Sequence, residues 1–203
     1  MLEKLIWFWD QLIALDHQLF LLINGKWTNP FFDKLLVLFR TPIFWTPLYI
    51  YLLVVAIKNF KTRSIAWILS LVFTAGLMDF MGNKLIKHTV QRLRPCNDPD
   101  FSPQVRLLLD HCGTGFSFIS NHAANHFAMA SFIFATMTSI FGRYRWLFFL
   151  WATSVAYSQV YVGVHYPSDV LCGALTGMIF GFITASIYNK KFQISNFAAQ
   201  TNQ

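Results

Sequence analysis

Residues 121–188 run NHAANHFAMASFIFATMTSIFGRYRWLFFLWATSVAYSQVYVGVHYPSDVLCGALTGMIFGFITASIY. Three apolar runs, Asn121 to Phe141, Trp146 to Val164 and Val170 to Tyr188, are separated only by GRYR and HYPSD. A helix needs about 20 mostly apolar residues to cross the hydrocarbon core of a bilayer. Each run approaches that length, and the short turns make consecutive helices antiparallel. Upstream, Thr41 to Ile57 and Ile65 to Met81 have the same character.

Composition supports the same reading. Of 203 residues, 55% are apolar and 12% charged, against roughly 25% charged in ordinary soluble domains. With 22 Phe and 7 Trp and a mean hydropathy of +0.45, the apolar surface exceeds what a small water-soluble domain can bury. Disordered, collagen-like, coiled-coil and disulfide-scaffold classes are excluded. The expected fold is an all-α integral membrane bundle of about five transmembrane helices. Met1 to Asn24, interrupted by Lys4, Asp10, Asp16 and His17, is expected to lie in the interface as an amphipathic helix, with a second short one at Pro30 to Phe39. A sixth span in the first segment is the alternative.

The chain is read as one membrane-embedded domain over residues 1–203, with interfacial helices to residue 40, a core over 41–188 and a tail over 189–203. There are no internal repeats. Glu3, Asp10 and Asp16, and the lack of a small-residue cleavage site, argue against a removed signal peptide. The Asn-, Gln- and Ser-rich tail after Lys191 is expected to be disordered. Gly173, Gly177 and Gly181 recur every four residues, a small-residue face for close helix packing.

Charge placement sets the expected orientation. Lys58, Lys61 and Arg63, then Arg143 and Arg145, then Lys190 and Lys191 share one side and include no Asp or Glu, the cytoplasmic signature of the positive-inside rule. These seven residues equal the whole net charge of +7, so the basic balance reports topology and not nucleic acid. The polar connection 82–119 and the turn at His165 fall on the extracytoplasmic side, where a Cys96–Cys112 bridge can form; three unpaired thiols are the alternative.

Three clusters meet at that outer face. Lys84, Lys87, Gln91 and Arg94 form one stripe if the second span continues outward as a helix, ended by Pro95. Ser120 is a good N-cap before Asn121 and His122, and unpaired helix N–H groups suit a phosphate. His165 precedes Asp169 by four residues, a spacing at which a carboxylate can hold one imidazole nitrogen and leave the other as nucleophile or base. His122 and His126 have zinc-like spacing, but Ala123 stands where a metalloprotease carries its glutamate. His126 is instead expected to be a polar residue satisfied within the bundle. Asp79, near the outer end of its span, is expected to pair with Lys84 or reach solvent.

In order, Lys87-x6-Arg94-Pro95, Phe118-Ile119-Ser120-Asn121-His122 and Ser158-Gln159-x5-His165-x3-Asp169 resemble the three motifs of the type 2 phosphatidic acid phosphatases. The resemblance implies a lipid phosphatase without metal or cofactor. His165 would attack phosphorus to form a phosphohistidine, Asp169 would orient it, and His122 would protonate the leaving group. Lys87, Arg94, Ser120 and Asn121 would hold the phosphoryl oxygens, with Gln159 at a phosphate-binding position. Two departures stand out. Ile119 and Asn121 replace the family's proline and glycine, and Gln159 replaces an arginine that clamps the phosphate. Loss of such a charged donor in a dry site is worth on the order of 3 kcal/mol of transition-state stabilisation, and Lys84 or Arg92 is expected to return the charge.

The expected substrate is a lipid phosphate or diphosphate at the outer face of a bacterial inner membrane, with undecaprenyl diphosphate and lipid A 1-phosphate favoured over phosphatidylglycerophosphate and phosphatidate. The second reading, which Gln159 favours, is a membrane protein that binds anionic lipid without turnover. A transporter is disfavoured by spans almost free of charge, and an intramembrane serine protease by the absence of a Gly-x-Ser-Gly run.

Overall fold

The computed structural model describes residues 2–192, and those residues form helices, turns and loops with no β-strand. The sequence reading of the tail beyond residue 192 lies outside the described residues. Helix α1 (Leu2–Leu21) passes through a π-helical turn, Leu22–Lys26, toward α2 (Pro30–Arg40). Asn29 caps α2 by accepting from the Phe32 N–H at 2.9 Å, and Pro30 fits the first turn, where its missing donor is no loss. Helices α3 (Thr46–Phe60) and α4 (Ser64–Phe80) form a hairpin that reverses at Lys61, whose φ is 50°.

A π-helical stretch, Met81–Ile86, links α4 to the single turn α5 (Lys87–Val90). After the long polar connection come α6 (Asn121–Thr136), the short α7 (Thr138–Phe141), α8 (Leu147–Tyr161) and α9 (Pro167–Phe192). The fourth helical run extends only to Val90, so the expected stripe ends early. Gln91 takes a left-handed conformation, φ 52°, and turns the chain out of the helix four residues before Pro95.

Helix α6 is the centre of the bundle, packed on α4, α8 and α9. Its core partners include Trp67, Trp151 and Tyr188 around Phe132 and Ile133, and the buried Trp67 indole donates to Thr136 Oγ1 at 2.8 Å. The outer surface is apolar instead: Ile65, Leu69, Val72 and Phe73 on α4, and Leu171, Ile179, Ile183 and Ile187 on α9, are exposed. Only a lipid-like solvent makes that arrangement favourable. Two stretches, Pro42–Val90 and Pro167–Phe192, are long and apolar enough to cross a membrane; the first contains the α3–α4 hairpin. Helix α1 also leaves the apolar residues from Leu2 to Leu15 exposed and docks through Asp16 and Phe20.

The glycine repeat sets the site's frame. Gly173 lies against Ser120, Gly177 against Ala124 and Gly181 against Ala128, so α6 and α9 run parallel with their N-termini together. A Cβ on Gly173 would sit 2.6 Å from the Ser120 carbonyl, and one on Gly177 would clash with the Ala124 backbone. Gly177→Ala is therefore expected to destabilise by about 1–3 kcal/mol, read as a lower thermal midpoint in detergent. Gly76→Ala on α4, where nothing lies within 4 Å of the new methyl, is the matched control and is expected to be neutral or slightly stabilising. Equal midpoints for the two variants would sink this account.

At the far end, Arg63 Nη1 donates to the Phe192 carbonyl at 2.7 Å and Asn189 Nδ2 to the Ala135 carbonyl at 3.1 Å. The basic turn after α3 and the basic end of α9 thus share one end of the bundle, opposite the paired N-termini.

Candidate active site

The site is assembled where α6 and α9 begin. Ser120 caps α6, its hydroxyl 3.5 Å from the Ala123 N–H, and its own N–H donates to the Asp169 carbonyl at 3.0 Å. The connection that brings Arg92 and Arg94 here is closed by a Cys96–Cys112 disulfide with a Cα separation of 5.8 Å, while Cys172 is free. A cleft of about 220 Å³ results, lined by Arg40, Asp79, Asn83, Lys87, Arg94, Asn121, His122 and His165.

His165 is 2% exposed. Its Nε2 lies 3.1 Å from Arg94 Nη1, and because a guanidinium carries only donors, Nε2 must be the acceptor. The proton is then on Nδ1, which faces Ser117 Oγ at 3.2 Å and Asp169 Oδ2 at 3.6 Å. Ser117 donates onward to the same carboxylate oxygen. Burial first, then the Arg94 charge, outweigh the Asp169 contact and hold the His165 imidazole down to about 4.

The sign of that shift fixes its pH behaviour. A depressed imidazole stays neutral through the range in which an ordinary one gains a proton, and between about 6.5 and 4 the unfolded chain binds more protons than the folded one. Stability from this group is therefore full above 6.5 and lost as pH falls toward 4. NMR titration of the labelled imidazole is expected to find it neutral at pH 5; a midpoint at or above 6.5 would refute the assignment.

Asp169 is fully buried and collects donors: the Tyr166 N–H at 2.9 Å, Ser117 Oγ, and Arg92 Nη1 at 2.8 Å. Arg92 also binds Asp16 Oδ2 at 2.6 Å, and Asp16 accepts from the Ser168 N–H and hydroxyl. Arg92 is thus held behind Asp169 by α1, and Lys84 is exposed and outside the cleft. Neither returns the charge missing at position 159. Sequence reasoning missed Ser117 and Asp16, because their reach depends on the loop path and on the docking of α1.

Gln159 also departs from expectation. It is fully buried and outside the cleft lining. Its Nε2 donates to the Val155 carbonyl and Ser158 Oγ, both at 3.2 Å, and its Oε1 accepts from Arg40 Nε at 3.1 Å. Arg40, at the end of α2, is the lining residue in front of it. Burial alone pulls the Arg40 guanidinium below its usual range. Among the described residues neither Arg40, Lys87 nor Arg94 is within ion-pair distance of a carboxylate.

Asn121 replaces a glycine of the resembled motif, and its side chain reaches across to Asp79 Oδ1 at 2.8 Å. It fits because Gly82 opposite has no Cβ; a methyl there would meet Asn121 Oδ1. Asn83 Nδ2 approaches the other Asp79 oxygen at 3.3 Å and its Oδ1 accepts from Lys87 Nζ at 3.3 Å. Asp79 is exposed, the second of the two expectations for it, and pairs with two amides and not with Lys84. Ser120 is buried outside the cleft lining. His126 turns inward, Nδ1 bonding the His122 carbonyl at 2.8 Å and the ring against Trp151, while its Nε2 has no hydrogen-bond partner among the described residues.

An anion-seeking cleft set into one end of an apolar helical bundle defines a class, the membrane phosphatases. Residues 65–193 match the PAP2 superfamily, and the chain belongs to it. A lipid A 4'-phosphatase of Bacteroides thetaiotaomicron is 33% identical over 181 residues, 87% of this chain and 78% of the relative. A lipid A 1-phosphatase of Rhizobium etli is 31% identical over 132 residues, covering 61% of this chain and 52% of that one. Among solved structures, Aquifex aeolicus LpxE superposes with a TM-score of 0.58 at 28% identity, covering 83% of this chain and 93% of that chain. The PAP2-type phosphatidylglycerolphosphate phosphatase of Bacillus subtilis, at 19% identity and a TM-score of 0.65 over 89% of this chain and 87% of that one, shares the fold. The expectation of a lipid phosphatase of this family is met.

Proposed function

We propose that the protein removes a terminal phosphate from a membrane lipid through a phosphohistidine. The observation that carries this is His165 Nε2, an acceptor facing the cleft beside Arg94, with Nδ1–H held by Ser117 and Asp169. In this reading the Nε2 lone pair attacks phosphorus and the P–O bond to the lipid breaks. His122, in the same cleft, gives a proton to the leaving oxygen. Water then attacks the phosphohistidine, His122 takes its proton, and inorganic phosphate leaves with His165 restored. Lys87 and Arg94 stabilise charge on the equatorial oxygens, which is most of what phosphoryl transfer asks of a protein.

The cleft opens at helix ends, so a headgroup can enter from the leaflet while its chains stay in lipid. Five spans, with the cleft on the extracytoplasmic side of a bacterial inner membrane, fit the basic residues gathered at the opposite end. Lipid A phosphates lead the substrate panel: the names of the relatives add the 4'-phosphate to the 1-phosphate, and undecaprenyl diphosphate, the name of a further relative's substrate, stays in it. Phosphate release in detergent from lipid A, undecaprenyl diphosphate, phosphatidylglycerophosphate and phosphatidate tests the reading. Release insensitive to chelator and blocked by orthovanadate is expected, and no release from any of the four would sink it.

A further inference from the structure

We propose that Arg40 binds the substrate phosphate, and that Gln159 is the residue that aims it. The inference rests on the phosphatase reading and names a ligand for the phosphate that neither the family motifs nor their spacing contain. The resembled motif carries an arginine on the helix now called α8; here that helix carries a neutral amide, and the guanidinium comes from α2 instead.

The Gln159 amide is oriented from behind. Its NH2 group is taken by the Val155 carbonyl and the Ser158 hydroxyl, which leaves Oε1 facing Arg40 Nε at 3.1 Å. That bond anchors the guanidinium at Nε, and its two terminal nitrogens have no hydrogen-bond partner among the described residues. Arg40 lines the cleft, and a planar fork with one nitrogen anchored and two left over is suited to a phosphate's paired oxygens.

The backbone beneath Arg40 is held at both ends. Near the start of α2, Asp33 accepts from Tyr161 of α8 at 2.7 Å and from Arg106 at 2.8 Å. Just past its end, Trp45 packs edge-on against Trp151 at 5.9 Å and donates to the Phe39 carbonyl at 2.7 Å. Position 159 explains the exchange: an arginine there would put a second guanidinium against the first in a buried site, so the two positions can carry one arginine between them.

Orthovanadate binding, with lipid turnover as a separate readout, tests this in the purified full chain in detergent. Arg40→Gln is expected to weaken vanadate binding and lower kcat/KM by roughly 10²-fold, with an unchanged thermal midpoint. Gln159→Arg alone is expected to lower both, through repulsion. The double variant Arg40→Gln/Gln159→Arg, which moves the charge back to α8, is expected to recover at least tenfold over Arg40→Gln.

Unchanged vanadate affinity in Arg40→Gln, or a loss seen only in thermal midpoint, overturns the proposal, as does no vanadate binding by the wild type. If the wild type turns over no lipid yet binds vanadate in an Arg40-dependent way, Arg40 stands and the phosphatase reading falls. If both proteins turn over lipid equally, the reading stands and Arg40 falls.

Discussion

His165→Ala is expected to reduce phosphate release by a factor on the order of 10⁵, with the fold intact. The imidazole presents Nε2, the acceptor beside Arg94, to the cleft, with Nδ1 held from behind by Ser117 and Asp169, an arrangement that no neighbouring side chain reproduces among the described residues. Asn83 and Asn121 are committed to Asp79, and His122 lines the cleft from the first turn of α6. What survives the substitution is charge stabilisation by the cations, and in other enzymes such a residue of catalysis is about 10³–10⁴ over water. Vanadate binding is expected to fall far less than turnover, since the cations that hold the anion remain. Single-turnover experiments with labelled lipid should also lose the acid-labile protein-bound phosphate. A His165→Ala variant within tenfold of wild type would remove the phosphohistidine from the mechanism.

The parts of this site that were readable in sequence are those fixed by local chain geometry. The i,i+4 spacing of His165 and Asp169, the Ser120 cap and the glycine face of α9 each follow from helix periodicity, and each is found in place. Whatever depends on where separate elements dock was not readable. Gln91 bends the chain and breaks an apparently continuous basic stripe. Arg92, close in sequence to the motif, is drawn away by Asp16 from a helix 76 residues earlier, and Arg40 arrives from 119 residues before Gln159. Nearness in sequence does not say which way a guanidinium turns: Arg92 goes to the two carboxylates, Asp16 and Asp169, that the fold brings to it, while Arg40 and Arg94 meet none among the described residues. Asp79 and Lys84 are both exposed, so neither needs the other, and Asp79 bonds the amides of Asn83 and Asn121 instead.

Asp169→Asn should show how much of the rate depends on the tautomer of His165. The carboxylate accepts from the Tyr166 N–H, Ser117 Oγ and Arg92 Nη1 and lies 3.6 Å from His165 Nδ1. The Tyr166 N–H, Ser117 Oγ and His165 Nδ1 all face Oδ2, and Arg92 Nη1 faces Oδ1. An amide has one acceptor oxygen and an NH2 group with two donors. With its oxygen in the Oδ2 place it opposes only the Arg92 guanidinium and the imidazole keeps its tautomer; with its NH2 there it opposes the Tyr166 N–H and turns the imidazole proton to Nε2, toward Arg94. The second arrangement is expected to cost about 10³–10⁴ in kcat, by analogy with the wrong-tautomer penalty in serine hydrolases, and the first a smaller loss from the missing charge alone. Vanadate affinity is expected to stay within tenfold, because Lys87 and Arg94 are unaltered. Removing the charge also leaves Arg92 with Asp16 as its one remaining carboxylate, so a lower thermal midpoint is expected alongside the rate loss. Arg92→Gln separates the two effects: it weakens the same ion pair but leaves Asp169 able to accept from His165, and should retain most of kcat. If Arg92→Gln and Asp169→Asn lose kcat equally, the carboxylate acts through packing and charge balance, and the tautomer argument fails.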